Sequence, residues 1–216
     1  MQIDKYLDVT YPQKATEYPY LLADYLTTRF ITGGEFGAPK LLDVGSGKGY
    51  FIDAFEICGM KVTSIDKDKC NLEHDMFPFH GEFFDYVFAK SLVEHIRNTE
   101  NFFTEIYRVL KPGGLAIILT PDWESRYKDF FDYTHVTPFT RKALQDALEV
   151  HAFKEVSVEK FYQLPLLWTY PQLKFLARLT ALLPDSWKWK DKRQTIHNEW
   201  IRFSKELMLL GIGKKS

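Results

Sequence analysis

The sequence has few cysteines, almost no net charge and no long apolar run. Cys58 and Cys70 are the only cysteines in 216 residues, which excludes a disulfide framework and a cysteine zinc site, so we expect a cytoplasmic location. Lys and Arg total 28 and Asp and Glu total 29, so the charge gives no reason to expect a nucleic-acid partner. The first residues, Met1–Lys5, do not begin a secretion signal.

The composition is that of one globular domain. Apolar residues make up 45% of the chain and charged residues 26%, and 216 residues suffice for one core with an elaboration. Aromatic residues make up 16% of the chain, with five tyrosines in residues 1–25 and four of the five tryptophans in the last sixty residues. We expect these two regions to cover a site whose frame lies between them.

The most informative stretch is Leu41–Tyr50, which predicts a buried strand, a glycine turn and the start of a helix. Gly45, Gly47 and Gly49 permit a tight turn and let a ligand approach the main chain. The N–H groups of the helix start would face an anionic or polar group. The spacing is G-x-G-x-G, which differs from the G-x-G-x-x-G of dinucleotide-binding enzymes.

Short apolar strands alternate with helices along the middle of the chain. The predicted strands are 40–45, 60–66, 83–89, 115–119 and 153–161, and the predicted helices are 18–30, 50–57, 98–110 and 138–150. This alternation is typical of a parallel sheet covered on both faces. In such sheets the ligand lies at the carboxyl ends of the strands.

Two acidic residues at predicted strand ends suit a nucleoside. Asp66 follows the second strand, where a carboxylate can accept hydrogen bonds from both ribose hydroxyls. Asp75 is expected at the next strand end, where it could accept the exocyclic amine of adenine while Met76 packs on the ring. The alternatives without a ligand are that Asp66 is an ordinary strand-end acid and that Asp75 is an ordinary turn residue.

Several motifs occur in order and resemble class I S-adenosylmethionine-dependent methyltransferases. They are Leu42–Gly49 (LDVGSGKG), Phe84–Phe88 (FDYVF), Val93–Ile96 (VEHI) and Val109–Gly114 (VLKPGG). The resemblance covers about residues 38–160 and is greatest to the small-molecule branch that includes the ubiquinone-biosynthesis methyltransferases. It implies S-adenosylmethionine as cofactor and S-adenosylhomocysteine as product.

The resemblance implies an α/β fold, a Rossmann-like three-layer sandwich around a seven-stranded, mostly parallel sheet whose last strand is antiparallel. On this view residues 1–216 form a single domain. Its parts are an N-terminal helical cover (1–37), a cofactor-binding core (38–160), an insertion or lid (161–200) and the final strand (201–216).

The resemblance also implies roles for individual residues. The glycines would border the methionine moiety of the cofactor, and Asp43 would order the loop and the cofactor amine. The full implied cofactor-binding set is Asp43, Gly45, Ser46, Gly47, Gly49, Asp66, Lys67, Asp75, Met76, Lys90 and Ser91.

His135 is the first candidate for a catalytic base. It follows the fifth strand, its imidazole can take a proton near neutral pH, and Asp132 could orient it. The alternative is that His135 braces the loop before the next helix. His95 is a second candidate, although packing beside the cofactor suits it better. Ser91 stands where some relatives have the first Glu of a metal-binding Glu-x-x-Glu-His pattern, so we expect no metal site.

Residues 164–190 combine apolar stretches with Trp and Lys residues, and prolines make them a poor membrane span. The simplest prediction is a helical lid or a homodimer surface. An interfacial helix that contacts a membrane peripherally is the alternative.

Together these observations predict a methyltransferase that uses S-adenosylmethionine on a small-molecule, lipid-linked or sugar-linked acceptor, with O-methylation favoured. Two alternatives remain: a non-catalytic cofactor-binding relative that acts as a regulatory subunit, and an NAD-type Rossmann oxidoreductase. The glycine spacing disfavours the oxidoreductase.

Overall fold

The computed structural model describes residues 17–31, 37–125, 133–183 and 203–216. In these ranges six α-helices accompany six strands. The helices are α1 (Tyr18–Phe30), α2 (Tyr50–Ile57), α3 (Thr99–Val109), α4 (Arg141–Val150), α5 (Pro165–Thr169) and α6 (Lys174–Thr180). The strands are β1 (Lys40–Val44), β2 (Lys61–Ile65), β3 (Phe84–Lys90), β4 (Leu110–Pro121), β5 (Lys154–Tyr162) and β6 (Leu207–Lys214).

The described strands form one sheet in the order β2-β1-β3-β4-β6-β5. The β1–β2, β1–β3 and β3–β4 pairs are parallel, whereas β6 is antiparallel to both of its neighbours, β4 and β5. The strands other than β6 therefore place their carboxyl ends at one edge of the sheet, where an α/β fold binds its ligand. The predicted mostly parallel sheet with an antiparallel last strand is confirmed.

Helices cover both faces of the sheet, because alternate residues of each strand point to opposite sides. Leu41 and Phe88 pack with α1 and α2 on one face, and Leu42 and Val87 pack with α3 and α4 on the other. The strands are apolar along most of their length because both of their faces pack against a core. The three-layer sandwich predicted from the sequence is confirmed.

The predicted count of seven strands is wrong for the described residues, which form six. The missing strand was expected to end before Asp75, but residues 66–82 form turns there. Pro78 lacks an N–H for a strand ladder, and Asp75 closes a local turn by accepting the N–H of Asn71 at 2.8 Å. Strand β2 is consequently an edge of the sheet.

A charged clamp on α3 holds this turn segment against the core. The Glu105 carboxylate accepts the N–H of Phe77 at 2.6 Å, which fixes the buried ring. Arg108 pairs with Glu105 at 2.6 Å. The Arg108 guanidinium also donates to the carbonyl groups of Phe77 and Phe79, at 3.0 and 2.9 Å. Side-chain hydrogen bonds thus replace the missing ladder.

Two predicted elements begin three or more residues away from the predicted start. The helix expected over 138–150 begins at Arg141, because the Thr140 side chain caps it by accepting the N–H of Ala143. The strand expected over 115–119 is longer and begins at Leu110, since the chain already pairs with β3 at Phe84 before a register shift.

The insertion after β5 starts with α5, a 3-10 turn over Pro171–Leu173 and α6. Trp168 fixes this segment, donating its Nε1–H to the carbonyl of Tyr162 at 2.7 Å and stacking on Phe161. Among the helices of the described ranges, none has the length and hydropathy needed to span a membrane.

We predict that Arg108→Met destabilises the protein by about 3 kcal/mol, because it leaves the largely buried carboxylate of Glu105 without its charge partner. The free energy of unfolding from urea denaturation measures this effect. Lys142→Met is the matched control: it breaks the exposed pair with Asp146 and should change stability by less than about 0.5 kcal/mol. Equal changes in the free energy of unfolding for the two variants would contradict the stabilising role of the Glu105–Arg108 pair.

Candidate functional site

The glycine turn connects β1 to α2 and is hydrogen-bonded to the end of β2. Gly45 adopts a φ of 75° and donates its N–H to the carbonyl of Ile65 at 2.8 Å. The positive φ favours glycine, and a Cβ here would lie 2.7 Å from the end of the Leu92 side chain and would displace it. Gly49, also at a φ of 75°, forms the N-cap of α2. The strand–turn–helix prediction for this stretch is confirmed.

Asp43 is a buried carboxylate directly below this turn. Only 3% of the residue is exposed, and Oδ2 makes no hydrogen bond within the described part of the chain. Burial, together with the nearby carboxylate of Asp66, raises the pKa of Asp43 to about 7. A buried acceptor without a donor costs free energy, so this atom suits a cationic or hydrogen-bonding ligand.

Asp66 lies at the end of β2 and faces the glycine loop. Its two carboxylate oxygens accept the N–H groups of Gly47 and Lys67, each at 2.6 Å. These bonds hold the carboxylate at the mouth of the cleft and leave its other lone pairs for a ligand. The sequence prediction that Asp66 ends the second strand is confirmed.

A cleft of about 830 Å³ lies along the carboxyl edge of the sheet. This volume is in the range of sites that bury a nucleotide-sized ligand. The predicted residues that line it are Gly45, Ser46, Gly47, Gly49, Asp66, Lys67, Ser91 and His95. The structure therefore brings most of the predicted cofactor-binding set to one cavity.

Four predicted cofactor residues do not line this cleft: Asp43, which is buried in β1 beneath the glycine loop, and Asp75, Met76 and Lys90. The carboxylate of Asp75 is used by the Asn71 turn, and Met76 is 69% exposed because the neighbouring Phe77 turns into the core. Lys90 points toward α1, with Nζ 5.6 Å from the centre of the Tyr18 ring. The prediction of an adenine-binding strand end at Asp75 is corrected accordingly.

The wall opposite the glycine loop contains residues that the sequence analysis did not select. Leu72 and Glu73 line the cleft, and two asparagines at the start of α3 hold their backbone. Asn101 donates to the carbonyl of Leu72 at 3.2 Å, and Asn98 to that of Glu73 at 2.8 Å. The available signal was a pair of amide side chains at a helix start, which is common for capping alone.

Glu94, His95 and His135 meet beside the cleft. The two imidazole rings make an edge-to-face contact with centroids 4.7 Å apart. Glu94 is buried, which raises the pKa of its carboxyl group, and it accepts the Thr120 hydroxyl at 2.9 Å. Its carbonyl also accepts the N–H groups of residues 136 and 137, at 2.8 and 3.0 Å. Glu94 thus holds the loop that carries His135.

The tautomer of His95 follows from its neighbour. Its Nδ1 lies 3.1 Å from the carbonyl oxygen of Thr134. Because a carbonyl only accepts, Nδ1 carries the proton, and in the neutral ring Nε2 keeps the lone pair. His95 lines the large cleft, whereas His135 lines a small adjoining cavity with Asp122 and Phe139. The histidine pair therefore stands between two cavities.

Glu94, His95 and His135 are also grouped closely enough, within 4.8 Å, to be considered as metal ligands. Thr120 already donates to the Glu94 carboxylate, and the absence of a metal stays a prediction. Asp132, the residue expected to orient His135, lies outside the described residues. The arrangement places the His95 imidazole on the wall of a cleft that can hold a charged ligand.

A family model described as a methyltransferase domain matches residues 15–158, about two thirds of the chain. The mitochondrial ubiquinone biosynthesis O-methyltransferase of Rattus norvegicus is 32% identical over 118 residues, which cover 44% of this chain and 34% of the rat protein. Phosphoethanolamine N-methyltransferase 2 of Caenorhabditis elegans is 44% identical over 43 residues, covering 20% of this chain and 10% of the other. The chain spans less than half the length of these curated relatives.

Solved structures share the fold. A SAM-dependent methyltransferase from Archaeoglobus fulgidus has a TM-score of 0.62 at 20% identity, covering 91% of this chain and 94% of the other. Phosphoethanolamine N-methyltransferase 2 of Haemonchus contortus, solved with S-adenosyl-L-methionine, has a TM-score of 0.58 at 17% identity, covering 100% and 60%. With the family match over residues 15–158, the chain belongs to the methyltransferase domain family and is a class I S-adenosylmethionine-dependent methyltransferase domain.

Proposed function

We propose that this protein binds S-adenosylmethionine in the cleft at the glycine loop and transfers its methyl group to a hydroxyl of a small-molecule, lipid-linked or sugar-linked acceptor. The observation that carries the proposal is the unpartnered, buried Oδ2 of Asp43 beneath that loop. The cofactor supplies an electrophilic methyl group on a sulfonium sulfur. All further chemistry falls to the residues of the chain.

The cleft fits the charge and shape of this cofactor. Asp43 would pair with the cofactor ammonium group, which gives the orphan oxygen a donor. Asp66 would accept the ribose hydroxyls. Leu72 and Ile96 supply apolar wall for the adenine ring, in place of the Asp75 and Met76 set expected from the sequence.

A hydroxyl acceptor needs a base, and the histidine pair is suited to this role. We assign the proton transfer to His135, whose cavity adjoins the cofactor cleft, with His95 packed against it. Methyl transfer depends mainly on in-line positioning and exclusion of water. Glu94 contributes by holding the His135 loop in place through its carbonyl.

The acceptor class rests on this base and on the O-methyltransferase relative from rat. A non-catalytic relative with a regulatory role is the second candidate, since cofactor contacts alone do not require turnover. The intact histidine pair favours an enzyme, because cofactor binding by itself does not need a base. We also propose that it acts in the cytoplasm, which the two free cysteines favour.

The first test is calorimetric binding of S-adenosylmethionine, S-adenosylhomocysteine and NAD to the wild type and to Asp66→Ala. We expect binding of the first two ligands and at least tenfold weaker binding by the variant, because hydrogen bonds to a charged group contribute about 1.5–3 kcal/mol. Asp68→Ala, also on the cleft wall, is the control. Preference for NAD would overturn the cofactor assignment.

A second prediction concerns pH and Asp43. Its pKa of about 7 in the fold exceeds the ordinary value of 3.8, so between about pH 4 and 7 the folded state keeps a proton that the unfolded state loses. The free energy of unfolding of the ligand-free protein should therefore decrease as pH rises across this window, by up to about 4 kcal/mol from this residue. Urea denaturation across pH 4–8 measures it.

Asp43→Asn should flatten this part of the profile, whereas Asp146→Asn, an exposed site, should leave it unchanged. Saturating S-adenosylmethionine should stabilise the wild type more at pH 8 than at pH 5, because the ionised carboxylate pairs with the ammonium group. A profile that is identical in wild type and Asp43→Asn would refute the assignment of a raised pKa to this group.

A third prediction tests the base. His135→Ala should lower kcat by about 10²- to 10⁴-fold, because a positioned base is lost, while the Kd for S-adenosylmethionine changes less than twofold. The assay is S-adenosylhomocysteine release with acceptors from a panel containing a quinol, a monosaccharide and a lipid-linked sugar. His80→Ala, on the exposed turn segment, is the matched control. Retention of more than half of kcat in His135→Ala would reject the role.

A further inference from the structure

In the described part of the insertion, residues 161–183, an apolar surface is exposed. Its members, here called the α6 stripe, are the three side chains Phe175, Leu179 and Leu182, which are 56%, 58% and 73% exposed. Leu176 and Tyr170 extend it and are also exposed. Scattered exposed apolar residues are normal, but a contiguous group of this kind marks an interaction surface.

The helical geometry explains why the stripe faces outward. At about 100° per residue, the three stripe residues fall within about 60° of one another, and Ala177 lies on the opposite side. Ala177 is the buried residue of α6, packed in a small cluster with Leu164 and Leu167. Beyond Thr180, the N–H groups of Ala181 and Leu182 bond to the carbonyls of Ala177 and Leu179, at 2.9 and 3.0 Å, so the chain keeps a helical turn as far as Leu182.

Positive charge lies beside the stripe. Lys174 and Arg178, one turn apart, are exposed on the adjacent flank of α6. No Asp or Glu occurs between residues 164 and 183. An apolar stripe flanked by cations, in a stretch (164–183) that contains no acidic residue, is complementary to the interface of a membrane with anionic lipids, where the side chains insert and the cations meet the headgroups.

The stripe is attached at the edge of the sheet that carries the cofactor cleft. Strand β5 runs parallel to β4, since both are antiparallel to β6, so α5 leaves the sheet at its carboxyl edge. The Trp168 ring packs on Tyr18, which lies 5.6 Å from Nζ of Lys90 at the end of β3. A surface bound to the stripe therefore approaches the same edge as the reacting groups.

We propose that the α6 stripe docks the protein on an anionic lipid surface. A second copy of this chain fits less well, because a two-fold contact would bring Lys174 and Arg178 of both copies together with no acidic residue of the segment to pair with them. Delivery of a lipid-linked acceptor from that surface rests on the proposed function, whereas docking itself does not.

The test is co-sedimentation with vesicles of phosphatidylcholine alone and of phosphatidylcholine mixed with phosphatidylglycerol. The wild type should bind the mixed vesicles at least tenfold more tightly than the neutral ones. Phe175→Ser with Leu179→Ser should abolish binding to both. Lys174→Glu with Arg178→Glu should weaken binding to the anionic vesicles at least tenfold, since each cation near such a surface contributes about fivefold.

Ile57→Ser with Val150→Ser is the matched control, since it removes two exposed apolar side chains from other helices and should bind like the wild type. Circular dichroism and sedimentation velocity check that each variant is folded and report its oligomeric state. Absence of wild-type vesicle binding, equal binding by the stripe variants, or a wild-type dimer that these variants dissociate would each overturn the proposal. Vesicle binding without S-adenosylmethionine binding would instead reject the methyl-transfer function alone.

Discussion

The hydrogen bond from the Gly45 N–H to the carbonyl of Ile65 ties the first two strands together at the edge where ligands bind. The residue adopts a positive φ, which favours glycine, and a Cβ there would contact the end of the Leu92 side chain. The turn and the strand-end Asp66 therefore line one cavity, and the buried Asp43 lies beneath the turn. A larger residue at this turn would displace the Leu92 side chain, which lines the same cavity.

Local patterns determined most of what could be predicted. The bounds of α1 (Tyr18–Phe30) and α2 (Tyr50–Ile57) match the prediction because apolar spacing and glycines act within a few residues. The prediction of a strand before Asp75 is wrong because the position of Phe77 depends on a hydrogen bond to Glu105, 28 residues further along the chain. Likewise, the contact of His95 with His135 requires two distant loops to meet, which no local pattern encodes.

The two buried acidic residues of the site, Asp43 and Glu94, differ in their hydrogen-bond partners. Asp43 is buried with an oxygen left without a donor, so it is suited to a ligand. Glu94 is equally buried, but Thr120 donates to its carboxylate and two N–H groups donate to its carbonyl. The first carboxylate thus has an oxygen without a donor among the described residues, whereas the second residue maintains the shape of the loop beside it.

The replacement of a third strand by turns has a consequence for how this site can vary. A residue inserted in a strand shifts every pair of the ladder and reverses the faces of its side chains. Residues 66–82 carry no such register and are fixed at a few points, chiefly by Glu105 and Arg108. Changes in the length of this segment can therefore reshape one wall of the cofactor cleft without disturbing the sheet, which makes it a natural place for divergence among relatives and for redesign.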